Sequence, residues 1–157
     1  MISMGSPIGA TFCRVTRVWG MSPISKRRQR RGPSPPTAVM MPEEQVFKTL
    51  VARGEKTGIN VFCIPVCCEL DLKKAAKAAG DKNMELVAVK ELLGLTGYIR
   101  GGCSPVGMKK HYPTFIDETC TLWDEIAVSA GARGHQMIVP PQPLAELVGA
   151  ELTDIIV

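Results

Sequence analysis

After Pro42 the chain is cut into short stretches of strand or helix length, each closed by glycine, proline or a polar turn. That punctuation allows only small elements packed around a sheet. Residues 46–52 mix apolar, β-branched and aromatic side chains at strand length, 53–58 supply a polar glycine-containing turn, and 59–66 read as the returning strand of a hairpin. Residues 71–79 place Leu72, Ala75, Ala76 and Ala79 on one helical stripe with Leu70, and Gly80 stands where a helix ends. A second helix is expected over 89–95, closing at Gly97. Strands are expected at 114–116, 126–129 and 136–139, followed by a last helix over 143–148. Short helices interrupt the strands without a regular βαβ repeat, which predicts a mixed α/β (α+β) fold with helices around a mixed sheet.

The charge is divided along the chain. Residues 1–40 hold Arg14, Arg17, Lys26, Arg27, Arg28, Arg30 and Arg31 and no acid. Setting those seven aside from the 19 basic residues leaves 12 against 15 acidic ones, so the formal +4 of the whole chain conceals a body of net charge −3. Such a body cannot hold a polyanion tightly through non-specific phosphate contacts. With 5% aromatic residues, stacked aromatic platforms for nucleic acid are not expected either. Rich in Pro, Gly, Ser and Arg, residues 1–40 are expected to be a disordered basic arm ahead of a single domain spanning 41–157. The arm's first basic residue follows its apolar opening, the wrong order for a secretory signal.

Six cysteines at 13, 63, 67, 68, 103 and 120 contain no Cys-x-x-Cys pair, and only His111 and His135 could add imidazole. Neither a metal site nor a disulfide framework is expected, and no cofactor. Free thiols in a chain of this size predict a reducing, cytoplasmic compartment. No run of apolar residues is long enough to span a membrane.

Stock catalytic motifs are missing: there is no phosphate-binding P-loop, no His-Glu-x-x-His, and 102–107 has the wrong spacing for a Gly-x-Ser-x-Gly elbow. What stands out is Gly101-Gly102-Cys103-Ser104-Pro105-Val106-Gly107, three glycines and a proline in seven residues, a backbone shaped on purpose. Four further segments accompany it in order: Val46-Phe47-Lys48-Thr49-Leu50, Leu70-Asp71-Leu72-Lys73-Lys74, Pro113-Thr114-Phe115-Ile116-Asp117 and Val128-Ser129-Ala130-Gly131-Ala132-Arg133-Gly134. Together with Thr96 to Pro105 they resemble the YbaK and prolyl-tRNA synthetase-associated editing domains.

The resemblance implies a mixed, partly barrel-like β-sheet surrounded by short helices, and a trans-editing enzyme that removes a mischarged amino acid from tRNA. It makes Cys-tRNA(Pro) the expected substrate, with Ala-tRNA(Pro) as the alternative and a prolyl-tRNA synthetase as the expected partner. It implies Lys48 and Gly101 as catalytic residues and Phe47, Thr49, Gly102, Cys103, Ser104, Pro105, Asp117, Ser129 and Gly131 as substrate-binding. A lysine ammonium can neutralise a developing oxyanion, and loop N–H groups can receive a carbonyl oxygen. In the cysteine-specific branch the substrate's own thiol attacks its ester, so the protein needs no nucleophile. Lys48 alone would read as a surface lysine on an edge strand, Asp117 as the acceptor of a backbone or lysine hydrogen bond, and Ser129 with Gly131 as a turn.

Family members carry a helix and a strand ahead of the lysine segment, and residues 1–40 do not resemble them. An absent strand implies an open pocket and an exposed sheet edge through which copies self-associate. It also keeps open a second class of function, an impaired accessory module that binds tRNA or synthetase without turnover.

Overall fold

The computed structural model describes residues 14–17 and 41–157. Strands β1 (Arg14–Arg17), β2 (Phe47–Gly54), β3 (Gly58–Pro65), β4 (Met84–Leu86), β5 (Thr114–Asp117), β6 (Ile126–Ser129), β7 (His135–Val139) and β8 (Glu151–Thr153) form two sheets. Three helices, α1 (Leu72–Ala79), α2 (Val89–Thr96) and α3 (Pro141–Val148), pack around them. The larger sheet runs β4-β2-β3-β5-β8 and the smaller β1-β7-β6. Both β2–β3 and β2–β4 are antiparallel, whereas β5 lies parallel to β3 and to β8, so the sheet is mixed as expected. One parallel bridge, Val46 to Ala127, joins the two sheets. The partly barrel-like character amounts to this junction, and the described strands do not close into a barrel.

Pairing between β2 and β3 is continuous from Phe47 opposite Pro65 to Gly54 opposite Gly58. Because side chains alternate across a strand, β3 feeds two cores. Phe62 and Ile64 meet Ala75 and Ala76 of α1, with Phe115 and Ile155, while Cys63 meets Leu144, Ala145 and Val148 of α3, with Phe47, Ile116 and Val128. Burial on both faces is why 61–65 is an unbroken inaccessible run. Phe62 and Phe115, neighbours in the β3–β5 ladder, stack with ring centroids 5.3 Å apart.

Local chemistry fixes the ends. Asp71 caps α1 by accepting from the amides of Lys73 and Lys74, and Gly80, Gly97 and Gly149 end the three helices in the left-handed conformation. At the hairpin tip Asp81 accepts from the amides of Lys56 and Thr57, both at 2.8 Å, and from the Thr57 hydroxyl at 2.9 Å. These bonds, led by the Thr57 amide, hold its carboxyl far below the usual carboxylate range. The Asp81 carboxylate also occupies the space a Cβ on Gly54 would need.

Four elements depart from the sequence reading. The strands β4 and β8 are three residues each, too short to show alternation. A 3-10 turn over Glu118–Leu122, capped by the Asp117 carboxylate, was not foreseen either. Within the basic arm, Arg14–Arg17 pair antiparallel with His135–Ile138 and cover the outer edge of β7. The residues ahead of Lys48 therefore do supply a strand, correcting the expectation that one is missing. The remainder of the expected disordered arm, including the basic run 26–31, lies outside the described residues.

Two outcomes follow from this packing. Leu144→Ala should cost about 2–5 kcal/mol in denaturant unfolding, the range for emptying a buried leucine site. Asp81→Asn should lower Tm at neutral pH. Because the folded carboxyl is depressed, the stabilisation is present above the ordinary value of 3.8 and is lost as pH falls through the folded value, so the Tm gap should narrow in acid.

Candidate functional site

Lys48 occupies the second position of β2, and its aliphatic stem rises beside the turn that follows β3. Its Nζ donates to the Cys68 carbonyl at 2.7 Å and, at the longer distance of 3.4 Å, to the Val66 carbonyl. That turn is itself anchored, with Cys68 N donating to Pro65 O at 3.0 Å and Val66 N to Val46 O at 2.8 Å. Two of the three ammonium donors are thus placed by backbone, which immobilises the charge at the wall of a cavity.

The cavity measures about 620 Å³ and is lined by Phe47, Lys48 and Thr49 of β2, Arg100, Gly101 and Cys103 of the glycine loop, and Ser129 and Gln136 of β6 and β7. Leu50, Val51, Val66, Leu86, Val87, Val89 and Leu92 make the rest apolar. Lys48 and Gly101 therefore share one cavity, between the two sheets.

Tyr98 holds the glycine loop in place. Its hydroxyl donates to the Val106 carbonyl at 2.6 Å, bridging the loop's two ends, and its amide donates to Thr96 Oγ1 at 3.0 Å. The ring lies against Gly131, where a Cβ would come within 2.9 Å of Tyr98 Cε1 and where φ is +95°, so only glycine fits there. Gly102 packs equally close on Ala132 and Arg133, and a Cβ there would sit 3.2 Å from backbone. From the same segment Arg133 Nε donates to the Arg100 carbonyl at 2.8 Å. The loop over 129–134 thus acts as a rigid backing plate for 98–103.

Several expected site residues turn out to be structural. Asp117 is fully buried, and its carboxylate accepts from Ile155 N, Thr119 N and the Thr119 hydroxyl, tying the C-terminal segment to β5. Ser104 is 2% exposed and accepts from Val106 N. Pro105 faces a second, smaller cavity of about 270 Å³ with Val106, Tyr112 and Leu147. The Gly102 amide, expected to meet a substrate carbonyl, donates instead to Ile99 O at 3.0 Å. Gly131 supports Tyr98 from outside the cavity. Ser129 lines the cavity and also accepts from Gly131 N at 3.4 Å.

Neither Cys103, in the cavity wall, nor Cys63 behind it is set up as a nucleophile. Burial pushes the Cys103 thiol up to about 11 and the Cys63 thiol up to about 12, and Cys103 packs among Val51 and Val61. Among the described residues no group of His, Cys, Asp and Glu is arranged to hold a metal ion.

The sequence reading missed Gln136. Its Oε1 is buried at the cavity wall with no hydrogen-bond partner among the described residues. A buried acceptor left unpaired costs free energy until something donates to it. In sequence it is one polar residue on a short strand, with nothing to distinguish it from a solvent-facing position.

Residues 36–147 match the family model described as "Aminoacyl-tRNA editing domain". A protein of Enterococcus faecalis (strain ATCC 700802 / V583), "Putative Cys-tRNA(Pro)/Cys-tRNA(Cys) deacylase EbsC", is 49% identical over 111 residues, 71% of this chain and 68% of the relative. Among solved structures, "Crystal structure of a putative trans-editing enzyme for prolyl tRNA synthetase" is 30% identical with a TM-score of 0.70, covering 74% of this chain and 73% of the other. A second, "hypothetical protein APE2540", is 25% identical with a TM-score of 0.69 over 74% and 77% of the two chains. With that match running across most of its length, this chain belongs to the aminoacyl-tRNA editing domain family.

Proposed function

We propose that this protein is a trans-editing deacylase that cleaves the ester between a mischarged amino acid and tRNA, with Cys-tRNA(Pro) as its main substrate. The observation that carries this reading is the shared cavity: a backbone-held ammonium at Lys48 faces the same space as the Gly101 turn. Family membership supports the reaction class, and the name of the Enterococcus relative supports the cysteinyl ester.

The chemistry asks little of the protein. The substrate's thiolate attacks the ester carbonyl, the bond to the ribose oxygen breaks, and that oxygen takes up a proton as the cyclic thiolactone leaves. Holding the thiol near the carbonyl supplies most of the rate, and the Lys48 charge stabilises the oxyanion in a largely apolar cavity. The Gly101 and Cys103 amides donate to no backbone carbonyl among the described residues, which leaves them for the substrate. Gln136 Oε1 accepts from the substrate's α-ammonium or a ribose hydroxyl, pairing an acceptor that has no partner among the described residues.

Grip on the tRNA is assigned to a partner. A body of net charge −3 is poorly suited to bind RNA alone, and a prolyl-tRNA synthetase already holding its tRNA meets the need. No helix among the described residues is long and apolar enough to cross a membrane, and a cytoplasmic site is in keeping with five unpaired cysteines there.

Deacylation of labelled cysteinyl-tRNA(Pro), alanyl-tRNA(Pro) and cysteinyl-tRNA(Cys) tests the reading, and ester loss no faster than in buffer for all three would sink it. Lys48→Ala should slow the reaction by about 10²-fold or more, as for loss of one oxyanion donor, and Lys48→Arg should not restore it. Gln136→Leu should lower kcat/KM roughly tenfold while leaving Tm unchanged or higher, because the unpaired acceptor is removed. Cys103→Ala should retain activity per folded molecule; its loss would point to a protein nucleophile instead.

A further inference from the structure

Cys67 and Cys68 sit directly after β3, in the turn that holds the Lys48 ammonium. Their sulfur atoms are 3.6 Å apart. Cys67 is exposed and Cys68 half-buried, whereas Cys63, Cys103 and Cys120 are buried. The carbonyl of Cys68 is the nearer acceptor of Lys48 Nζ, at 2.7 Å, and the Cys68 amide closes the turn on Pro65. Side chains open to oxidation and the backbone that positions Lys48 therefore belong to the same residues.

We propose that Cys67 and Cys68 are a redox modification site, joined by a peroxide into a vicinal disulfide whose closure draws the Cys68 carbonyl away from Lys48. The Cys67 thiolate attacks one oxygen of hydrogen peroxide and becomes a sulfenic acid, and the departing hydroxide takes a proton to give water. Cys68 sulfur then attacks the sulfenic sulfur, the S–S bond forms, and a second water leaves with the Cys68 proton. Two electrons pass from the two thiols to the peroxide. Exposure makes Cys67 the first to react. Burial, with Cys67 beside it, pushes the Cys68 thiol up, which leaves the exposed Cys67 as the sulfur that meets peroxide first and Cys68 as the one that resolves it.

Geometry couples the modification to the site. Adjacent Cα atoms stand about 3.8 Å apart, below the range of about 4.4–6.8 Å that disulfides normally span. The peptide fixes that spacing, so bringing the sulfurs from 3.6 Å to the bonding distance of about 2.05 Å turns the torsions on either side of the Cys67–Cys68 peptide, ψ of Cys67 and φ of Cys68. Those torsions orient the Cys68 amide, which is bonded to Pro65 O, and turning φ of Cys68 carries with it the carbonyl group that follows, the one that holds Lys48 Nζ. A disulfide formed under such strain is easily reduced, which makes the modification reversible by thiols.

The effect on deacylation rests on the role proposed for Lys48, whereas the effects on the thiols and on the lysine amine do not. The test uses the full chain with Cys13→Ser, fully reduced and then treated with hydrogen peroxide. Mass mapping should show the peptide containing Cys67 and Cys68 losing two hydrogens and regaining them with dithiothreitol. Labelling of Lys48 by an amine-acylating reagent should rise several-fold on oxidation, and deacylation of cysteinyl-tRNA should fall several-fold and recover on reduction. Cys67→Ser, which removes a side chain outside the cavity lining, should keep full basal activity and lose all three responses. Oxidation of either sulfur to a sulfinic acid without the cross-link would overturn the site. A cross-link that leaves Lys48 labelling unchanged would overturn its coupling to the cavity. A reduced protein with no deacylase activity would count against the proposed function alone, since mapping and labelling still decide the modification.

Discussion

The register of the β2–β3 hairpin is the constraint on which the rest stands. Because side chains alternate faces, a slip of one residue would exchange the cavity-facing set for the core-facing set and carry Lys48 away from its carbonyl acceptors. Two features resist that slip. Asp81 grips the tip through the Lys56 and Thr57 amides, and β3 is buried on both faces, so a one-residue slip would force Phe62 and Ile64 into the space shaped for Cys63. The placement of Lys48 is thus stabilised by ordinary packing at a distance from it.

The opposite wall is made differently. A loop of glycines has little stiffness of its own, since glycine loses more conformational freedom on ordering than any other residue. Here the stiffness comes from outside the loop, from the Tyr98 ring wedged on Gly131, the Tyr98 hydroxyl on Val106 and the Arg133 side chain on Arg100. The two recognisable motifs, 96–105 and 128–134, are therefore halves of one structural unit, each supplying the close approach the other needs.

Much of this was legible in the sequence because it is written in local patterns. The stripe at Leu72, Ala75, Ala76 and Ala79 with Gly80 after it located α1, and the hairpin strands were found to within two residues at either end. Lys48 and Gly101 were singled out by resemblance, and they line one cavity. What escaped depends on long-range pairing. Arg14–Arg17 carry no alternation that separates a strand from a tail; their partner, β7, is more than a hundred positions away. Asp117 sits in a motif, yet its second carboxylate oxygen is occupied by the amide of Ile155, which only folding brings to it. Gln136 gave no signal because an unpaired acceptor is a property of surroundings, and the Gly102 amide was misjudged because turn closure on Ile99 is invisible in composition.

The junction at Val46 has a mechanical meaning. Lys48 rides on the larger sheet, Ser129 and Gln136 ride on the smaller, and the one ladder rung between those sheets among the described residues is the bridge from Val46 to Ala127. The rest of the seam is side-chain packing, with Phe47 and Cys63 of the larger sheet in one buried cluster with Val128 and Val139 of the smaller, so the width of the gap between the two walls is set by the core behind it rather than by strand pairing.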